Sequence, residues 1–540
     1  MSSSRFILVN NIKLPINASE KEAFSVAGKE IKRALGISNS SLEFSIYRRS
    51  IDARHKNDIK FVYSVAVRGD FDKITEEKLS RHSLSFVNLS SDLDIHHGQA
   101  ALAAPPIIVG AGPAGLFSAL ILAENGYAPL IIERGDSVTA RKNAYDRFIR
   151  EHILDPNVNI QFGAGGAGTF SDGKLVTRIN DPLTSYVLSR FVEFGADSSI
   201  SYIAKPHIGT DVLATVVENI INRITSLGGR IEYRTKFISP VVQNGVVKAV
   251  ETDKGALPCG ALIIAIGHSA RDTYKTLMNS GFVIEPKDFS VGMRIEHLRR
   301  DIDFALYGDY AGNERLGAAE YHLSHDTKNR GVYTFCMCPG GEVVAAASEE
   351  MGVVVNGMSN SRRDGANSNS AVVCTVFKSD YGSTAEKAID FQREIERRAY
   401  IAGGGSYKAP IITVGDFLNN KCSSEPSSII PTYMSGENVK LARPEEYLPE
   451  FITDSIKRAL TAFGKKIDGF DNPSAVLTGA ETRTSAPVRI LRNNETRLAV
   501  GYDNLYPVGE GAGYAGGITS AAIDAVKSAL ELIRTYRPNK

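Results

Sequence analysis

Two cysteines one residue apart are the first candidates for chemistry in this chain of 540 residues. Cys336 and Cys338 stand in the run Cys-Met-Cys-Pro-Gly-Gly. Residues i and i+2 of a strand face the same side, so the two thiols could together exchange electrons with a redox cofactor. The alternative is packing beneath a glycine turn, because an extended C-x-C spacing suits a disulfide poorly. No second pair of ligands accompanies the cysteines, and the sequence predicts no metal site.

A histidine stands directly after a predicted strand. His268 follows the apolar run Leu262–Ile266 and Gly267. The run predicts a buried parallel strand, and α/β folds bind ligands at the carboxyl ends of such strands. His268 is therefore a candidate general acid or base. Together with Ser269 it could equally cap the helix that follows.

Two arginines close to the C-terminal segment complete the candidate catalytic set. Arg483 and Arg489 offer guanidinium groups that suit a carboxylate or phosphate of a substrate. Structural pairing with Glu481 is the alternative. The candidate catalytic residues are His268, Cys336, Cys338, Arg483 and Arg489.

A glycine-rich turn predicts the element that positions a cofactor for these groups. Gly110, Gly112 and Gly115 follow the apolar run Ile107–Val109 with G-x-G-x-x-G spacing, and a helical stripe and a second apolar run lead to Glu133. This is the pattern of a dinucleotide-binding βαβ unit. The glycines permit a tight turn, close approach of a pyrophosphate and close packing of helix on strand. The helix N-terminus would hold the phosphates, and Glu133 would bind the adenosine ribose.

Three later segments favour FAD over NAD. Gly267 ends a strand like the one that passes close to the dinucleotide in flavoproteins. The run Tyr506–Gly511 resembles their C-terminal motif, with Glu510 at the position of the usual aspartate. Ala515–Ile518 opens a helix whose positive end can face a flavin. Each segment alone could be a tight turn, but all three in this order indicate FAD.

Long motifs over nearly the whole chain resemble those of the uncharacterised FAD-dependent dehydrogenase family, within the glutathione-reductase-like flavoprotein superfamily. They are SIDAR from Ser50, GAGPAGL from Gly110, GGAGTFSDGKL from Gly165, AIGHSARDT from Ala265, RIEH from Arg294, FCMCPGG from Phe335, NGMS from Asn356, ETRTSAPVRI from Glu481 and GEGAGYAGGI from Gly509. The resemblance implies non-covalent FAD and a redox role. It also implies that the loop Gly165–Lys174 lies at the flavin ring. The predicted cofactor contacts are Gly110, Gly112, Pro113, Ala114, Gly115, Glu133, Arg134, Gly165, Gly166, Thr169, Ser171, Asp172, Lys174, Gly267, Gly509, Glu510, Gly516, Gly517 and Ile518.

The length predicts several domains, because single cores stop growing below this size. The predicted fold class is α/β: a Rossmann-like FAD-binding domain with an inserted mixed α+β substrate domain and an N-terminal ferredoxin-like α+β module. The predicted boundaries are 1–95 for the module, 100–270 and 481–540 for the two parts of the FAD-binding domain, and 271–480 for the inserted substrate or cap domain. A polar segment, residues 90–99, links the module to the rest.

The N-terminal module is predicted from alternating strand and helix patterns in the order βαββα. The predicted elements are strands at Arg5–Val9, Leu42–Tyr47 and Ile59–Val67, and helices at Glu20–Leu35 and Phe71–Ser80. Basic residues cluster around the turn between the two middle strands: Arg48, Arg49, Arg54, His55, Lys56 and Lys60. They are either a solvated hairpin tip or a contact for an acidic partner, RNA or a cofactor phosphate.

Composition limits the partners and the compartment. A formal net charge of +1 argues against general binding to nucleic acid or an anionic membrane. The apolar run Ala101–Ala123 is broken by prolines and glycines, which favours strand, turn and helix over a membrane span. Five cysteines without disulfide-like spacing suit a reducing compartment, so we expect a cytoplasmic protein.

These patterns predict an FAD-dependent oxidoreductase, a dehydrogenase or reductase that transfers a hydride between the flavin and a small organic substrate. The paired arginines favour an anionic substrate. The chain has no second dinucleotide fingerprint, which leaves NAD(P)H open only as a transient electron donor. The alternatives are a tRNA-modifying flavoprotein, motivated by the basic hairpin and the two cysteines, and a flavin-dependent sensor or scaffold without turnover.

Overall fold

The N-terminal module folds as a ferredoxin-like unit in the computed structural model, which describes residues 5–37, 39–89, 92–177, 180–327 and 330–538. Its elements are β1 (Phe6–Pro15), α1 (Glu20–Leu35), β2 (Glu43–Asp52), β3 (Lys60–Arg68), α2 (Glu76–Ser80) and β4 (Leu84–Val87). The strands pair antiparallel in the order β2-β3-β1-β4. Residues 1–4 and 38 of the predicted module, and residues 90 and 91 of the predicted linker, lie outside the described residues.

Local capping explains where the two helices of the module begin. Ser19 and Glu22 form a capping box at the start of α1, which has the predicted bounds. The prediction of a helix over residues 71–80 was wrong in its first half. The Thr75 hydroxyl accepts a hydrogen bond from the Lys78 amide at 3.3 Å and caps a helix that begins only at Glu76. The strand β4 is an addition to the predicted order.

The central part of the chain begins with alternating strands and helices. In chain order these are β5 (Ile107–Val109), α3 (Pro113–Glu124), β6 (Leu130–Ile132), α4 (Val138–Glu151), α5 (Leu183–Glu193), α6 (Thr210–Ser226), β7 (Arg230–Glu232), β8 (Phe237–Gln243), β9 (Val246–Thr252), β10 (Gly255–Pro258), β11 (Leu262–Ile264) and α7 (Arg271–Asn279). Asn244 and Gly245 both have positive φ between β8 and β9, as a type I′ hairpin turn requires.

The next segment is richer in strands. It contains β12 (Ile284–Pro286), β13 (Phe289–Leu298), α8 (Arg299–Tyr307), β14 (Ser324–Asp326), β15 (Gly331–Cys338), β16 (Glu342–Ala345), β17 (Val355–Met358), β18 (Asn367–Val376), α9 (Lys378–Tyr381), α10 (Ala385–Ala402), β19 (Ala409–Thr413), α11 (Val414–Leu418), β20 (Val439–Leu441), α12 (Glu450–Gly464) and β21 (Val476–Glu481). The chain closes with β22 (Val488–Ile490), β23 (Leu505–Pro507) and α13 (Ile518–Thr535). Short 3₁₀ helices cover Asn39–Ser41, Gly166–Phe170, Ser198–Ser201, Gly308–Tyr310, Tyr433–Gly436 and Pro444–Glu446.

The dinucleotide pattern folds into a parallel sheet with the order β23-β11-β5-β6-β7. Strands β5, β6 and β11 are short and fully apolar because α3, α6 and α13 pack on one face of the sheet, and β8, β9 and α7 pack on the other. Helix α3 is buried along nearly its whole length and packs against α13. This packing brings the glycine turn before α3 close to the C-terminal motif before α13. The carboxyl ends of β5, β11 and β23 therefore open at one edge, beside the N-termini of α3 and α13.

A mixed sheet with the order β14-β15-β18-β13-β21-β19-β20 forms most of the segment between residues 289 and 481. Its strands are antiparallel except for the pair β19 and β20. Strand β13 is buried along nearly its whole length, with α8, α12 and β17 packed against it. The predicted domain boundaries at residues 270 and 480 stay a prediction.

The N-terminal module is docked on the rest of the chain through Arg49. Its amide donates to the Tyr202 carbonyl at 2.7 Å, and its carbonyl accepts from the Ala204 amide at 2.8 Å. The Arg49 guanidinium lies over the rings of Phe61 and Tyr202. None of the helices in the described part of the chain combines the length and the apolar character that a membrane crossing needs.

Candidate functional site

A cavity of about 860 Å³, here called the central cavity, lies between the parallel sheet and the mixed sheet. One wall is the glycine turn after β5, the ends of β11 and β23 and the start of α13. The opposite wall includes residues 334–337 of β15 and Glu481 of β21. Its volume lies at the upper end of the range typical of small-molecule and cofactor sites, as a dinucleotide with a substrate requires.

The central cavity brings most of the predicted site residues together. Predicted cofactor residues that line it are Gly110, Gly112, Pro113, Ala114, Glu133, Arg134, Gly166, Ser171, Lys174, Gly267, Glu510, Gly516, Gly517 and Ile518. Candidate catalytic residues that line it are His268, Cys336, Arg483 and Arg489. Within the described residues, the predicted positions outside this lining are Gly115, Gly165, Thr169, Asp172, Cys338 and Gly509.

The three glycines of the first turn have different physical roles. Gly110 has a φ of +102°, and a Cβ there would stand 2.5 Å from the Ala265 carbonyl oxygen. A Cβ on Gly115 would stand 1.8 Å from the Gly110 carbonyl oxygen, so Gly115 serves close packing and not direct contact with a ligand. At Gly112 an added Cβ would have no neighbour closer than 3.8 Å. Gly112 therefore leaves open space where a pyrophosphate can approach the start of α3.

The Glu133 carboxylate holds the surrounding loops in place. It accepts hydrogen bonds from the backbone amides of Ala111 at 2.7 Å, Gly135 at 2.8 Å and Gly163 at 3.0 Å. The side chain is buried but borders the central cavity. These bonds join the ends of β5 and β6 to the second glycine loop. The expected contact to an adenosine ribose stays a prediction.

Arg141 of α4 is a structural residue of the site that the sequence patterns do not indicate. Its buried guanidinium donates to the carbonyls of Asn159, Ala164 and Gly166 at 2.8–2.9 Å and to the Thr169 hydroxyl at 2.7 Å. Burial lowers its pKa to about 9, with Glu133 acting in the opposite direction. Arg141 shapes the loop that was expected at the flavin, and it turns the Thr169 hydroxyl away from the cavity.

The Asp172 side chain faces protein partners and not the cavity, so the expected hydrogen bond to a flavin is not supported. Its buried carboxylate accepts from Arg363, from the Ser359 hydroxyl and from Lys174 at 2.7 Å. The Arg363 guanidinium also binds Glu320. This network fixes Lys174, whose ammonium group stays on the cavity wall together with Ser171.

His268 lies on the cavity wall with its Nδ1 atom 2.9 Å from the Ser269 hydroxyl. Burial lowers the pKa of the imidazole to about 3, and the charges of Arg483 and Arg271 lower it further. The imidazole is therefore neutral at physiological pH. It can accept a proton or a hydrogen bond, but it cannot supply a proton as an imidazolium at that pH.

The Arg483 guanidinium is already engaged by protein groups. It donates to Glu396 from Nε at 3.1 Å and from Nη2 at 3.0 Å, and from Nη1 to the Ser348 hydroxyl. Glu396 also binds the buried Arg271, at 2.7 and 2.8 Å. Arg483 reaches the cavity only as part of this buried cluster, so a free anion-binding role is not supported for it.

Arg489 is held more loosely and has a basic neighbour that the sequence patterns do not indicate. Its Nε atom donates to the Gly513 carbonyl at 3.3 Å, and the guanidinium lies over the Tyr514 ring. Lys287 lines the same part of the cavity, and burial and Arg489 lower its pKa. Among the described residues, neither side chain forms an ion pair within 4.0 Å. Nearby, burial raises the pKa of Glu510 to about 7, opposed by Lys287.

The family of the chain follows from sequence comparison. A family model described as "FAD-dependent protein, C-terminal domain-like" matches residues 288–484, and a model of a domain of unknown function matches residues 6–68. An uncharacterised protein of Clostridium beijerinckii is 42% identical over 534 residues, which are 98% of this chain and 99% of that protein. The chain belongs to this FAD-dependent protein family. FAD is accordingly its cofactor, and the open backbone at Gly112 and the two helix N-termini fit a dinucleotide.

Solved flavoprotein structures resemble the chain only distantly. Glycine oxidase from Bacillus cereus aligns with a TM-score of 0.35 and 10% identity, over 80% of this chain and 98% of that one. L-amino acid deaminase from Proteus vulgaris aligns with a TM-score of 0.32 and 13% identity, over 83% and 97% of the two chains. CtdE in complex with FAD aligns with a TM-score of 0.32 and 12% identity, over 79% and 83%. These similarities are too weak to carry an argument about substrate.

Proposed function

We propose that the protein is an FAD-dependent oxidoreductase that transfers a hydride between the flavin and a small organic anion in the central cavity. When bound, FAD supplies the hydride chemistry. The observation that carries the proposal is that the dinucleotide turn lines the same cavity as Lys287 and Arg489, two cations that form no ion pair with any described residue. An enzyme of this kind needs the cofactor and the substrate to share such a space.

The dinucleotide wall of the cavity would hold the cofactor through backbone groups. The N-terminus of α3 begins at Pro113 after Gly112, and its free amides and positive dipole end favour a pyrophosphate. The start of α13 presents Gly516, Gly517 and Ile518 to the same cavity. A second helix N-terminus there would stabilise negative charge that develops on a flavin.

Lys287 and Arg489 would bind the substrate anion. Lys287 directly follows β12, and Arg489 is the middle residue of the paired strand β22, so one local sheet fixes the spacing between them. Charge-assisted hydrogen bonds from such groups to a carboxylate or phosphate are roughly twice as strong as neutral ones. Lys287 and the neutral or ionised Glu510 could also pass a proton to or from the bound substrate.

The basic hairpin of the N-terminal module does not favour the tRNA-modifying alternative. Arg49 docks the module and lies 3.7 Å from Glu20, Arg54 binds Asp52, and Lys60 binds Asp58. These contacts engage three of the six basic residues of the cluster with acidic groups of the protein itself. We therefore propose a small-molecule substrate, with NAD(P)H retained as a candidate transient electron donor.

Anion binding can be measured on the FAD-loaded protein. The flavin absorbance would be followed while acetate, oxalate, pyruvate and inorganic phosphate are added, in wild type and in the variants Lys287→Gln and Arg489→Gln. We expect at least one anion to change the flavin absorbance. Each variant should lower the affinity for that anion about tenfold, as the loss of a charged hydrogen bond worth about 1.4 kcal/mol predicts.

The matched control is Arg398→Gln, because Arg398 is an exposed arginine of α10 that pairs with the exposed Glu394. It should bind the anion as wild type does. Anion binding that is unchanged in both cavity variants, or a flavin that no anion perturbs, would contradict the proposed anion site.

A further inference from the structure

Cys336 lies in a β-bulge that turns it towards the central cavity. The register between β15 and β18 shifts between Phe335 and Cys338, and Cys336 has a φ of +44°. A positive φ is uncommon for a residue with a side chain, and such backbone conformations cluster at functional sites. Cys336 is half-buried and lines the cavity, whereas Cys338 is fully buried behind it.

The bulge changes how the two cysteines are placed relative to each other. A regular extended strand holds the sulfurs of residues i and i+2 poorly for bonding. A bulge bends its strand and increases the local twist. Here the Cys338 Sγ atom approaches the Cys336 carbonyl oxygen to 3.3 Å, so the Cys338 side chain folds back against the backbone of Cys336. Both cysteines are free thiols.

A buried arginine supplies positive charge to this pair. The Arg294 guanidinium is fully buried, donates from Nη1 to the Cys336 carbonyl at 3.0 Å, and lies 3.9 Å from the Cys338 Sγ atom. Its carboxylate partner, Glu481, accepts from Nε at 3.0 Å. Lys174, on the wall of the cavity, adds a second positive charge near Cys336.

The five cysteines divide into one that favours the thiolate and four that do not. The hydrogen bond from Cys338 lowers the pKa of the Cys336 thiol, burial opposes this, and Arg294 and Lys174 lower it further. Burial raises the pKa of the thiols of Cys338, Cys259, Cys374 and Cys422. Burial raises the pKa of Cys338 although Arg294 acts in the opposite direction, so Cys336 is the thiol of the pair that favours the thiolate.

We propose that Cys336 and Cys338 form a reversible dithiol–disulfide couple that exchanges two electrons with the bound FAD. In the oxidising direction the two thiols form one S–S bond and release two protons and two electrons. In the reducing direction the disulfide takes up the same two electrons and two protons and gives two thiols. FAD is the two-electron partner in both directions. Cys336 is the cavity-facing thiol and Cys338 is its buried partner. The inference rests on the proposed function in needing FAD in the central cavity.

The first test counts electrons in the FAD-loaded protein. After oxidation by oxygen and transfer to anaerobic conditions, the protein is titrated with dithionite while the flavin absorbance is followed. We expect four electrons per FAD in wild type and in the control Cys422→Ser, which changes a half-buried cysteine outside the cavity. Cys336→Ser and Cys338→Ser should each take up two electrons. Two electrons per FAD in wild type would overturn the proposal.

The second test reads the sulfur atoms directly and does not depend on a variant or on turnover. The oxidised and the dithionite-reduced proteins are unfolded in the presence of a maleimide, and the labelled cysteines are identified by mass spectrometry. We expect Cys336 and Cys338 to be labelled only after reduction, and Cys259, Cys374 and Cys422 in both states. Labelling of Cys336 and Cys338 in both states would overturn the couple.

The two tests separate failure of this inference from failure of the proposed function. A flavin that is reduced by two electrons, with both cysteines always labelled, would leave the FAD-dependent function intact and remove the couple. A chain that takes up no FAD would contradict the proposed function and, with it, electron exchange between the cysteines and FAD.

Discussion

The two walls of the central cavity are built in different ways. The dinucleotide wall depends on backbone: glycine positions, helix N-termini and amides that converge on Glu133. The opposite wall depends on buried ionic clusters assembled from distant parts of the chain, such as Arg271, Glu396 and Arg483. Local sequence spacing encodes the first kind of wall, whereas only the tertiary fold creates the second. Each prediction below changes one wall and should leave the other intact.

The largest effect is expected from Glu396→Gln, which removes the negative charge between Arg271 and Arg483. Glu396 is buried, and burial opposes its ionisation, but the two guanidiniums hold its pKa well below the usual range. The variant leaves buried cations without a full partner, so the free energy of unfolding should fall by about 3–5 kcal/mol. Denaturant unfolding of the two proteins measures the difference.

The matched control for this variant is Glu394→Gln on the same helix. Glu394 is exposed and pairs with the exposed Arg398, so its loss should change the free energy of unfolding by less than about 0.5 kcal/mol. If the two variants were equally stable, the cluster of Arg271, Glu396 and Arg483 would not stabilise the wall opposite the dinucleotide wall.

On the dinucleotide wall, Gly115→Ala and Gly112→Ala should separate folding from cofactor binding. The Gly115→Ala Cβ would overlap the Gly110 carbonyl, and the free energy of unfolding should fall by about 3 kcal/mol. The Gly112→Ala Cβ meets no close neighbour, so this variant should unfold like wild type, but its methyl group would project into the space for the pyrophosphate. FAD affinity, measured by fluorescence titration, should fall at least tenfold. Normal FAD binding by Gly112→Ala would contradict the role given to this turn.

The ionisation of Glu510 should make the free energy of unfolding of the FAD-free protein depend on pH. Burial raises the pKa of this carboxyl in the folded state to about 7, whereas the unfolded chain has an ordinary value near 4.3. The folded state therefore binds the proton more tightly, and stability falls as pH rises from about 4.5 to about 7. The decrease should be about 3 kcal/mol, measured by denaturant unfolding across this range, and Glu510→Gln should remove it. The same slope in both proteins would assign it to other groups.

The sequence predicts features that depend on neighbouring residues better than features that depend on distant ones. The bounds of α1 follow from its apolar periodicity, and the glycine turn follows from its spacing. The prediction of a helix from residue 71 was wrong because Thr75 caps a helix that begins later. Apolar periodicity gives no information about the position of such a cap. The FAD-dependent family, the Rossmann-like fold and the ferredoxin-like module were all predicted from sequence patterns and are confirmed.

Within the site, the unpredicted residues are those whose partners lie far away in the chain. Arg141 holds a loop 18–28 residues further on, and Asp172 meets Arg363 across 191 residues. Nothing in the local pattern distinguishes such side chains from surface charges. Lys287 could have been noticed, since it ends a short strand that pairs with the strand of Arg489, but that pairing joins segments about 200 residues apart. The expected roles of Arg483 and Asp172 are not supported for the same reason: their partners, Glu396 and Arg363, lie far away in the chain.

The most direct test of the account is an anaerobic absorption spectrum of the purified protein after incubation with FAD and removal of excess. The account predicts the bands of an oxidised flavin, at one FAD per chain, and loss of these bands when dithionite or a competent donor is added. NADH and NADPH are added separately first, so that bleaching by either identifies it as an electron donor. A protein that stays colourless and retains no FAD would contradict the assignment of the central cavity as a flavin site.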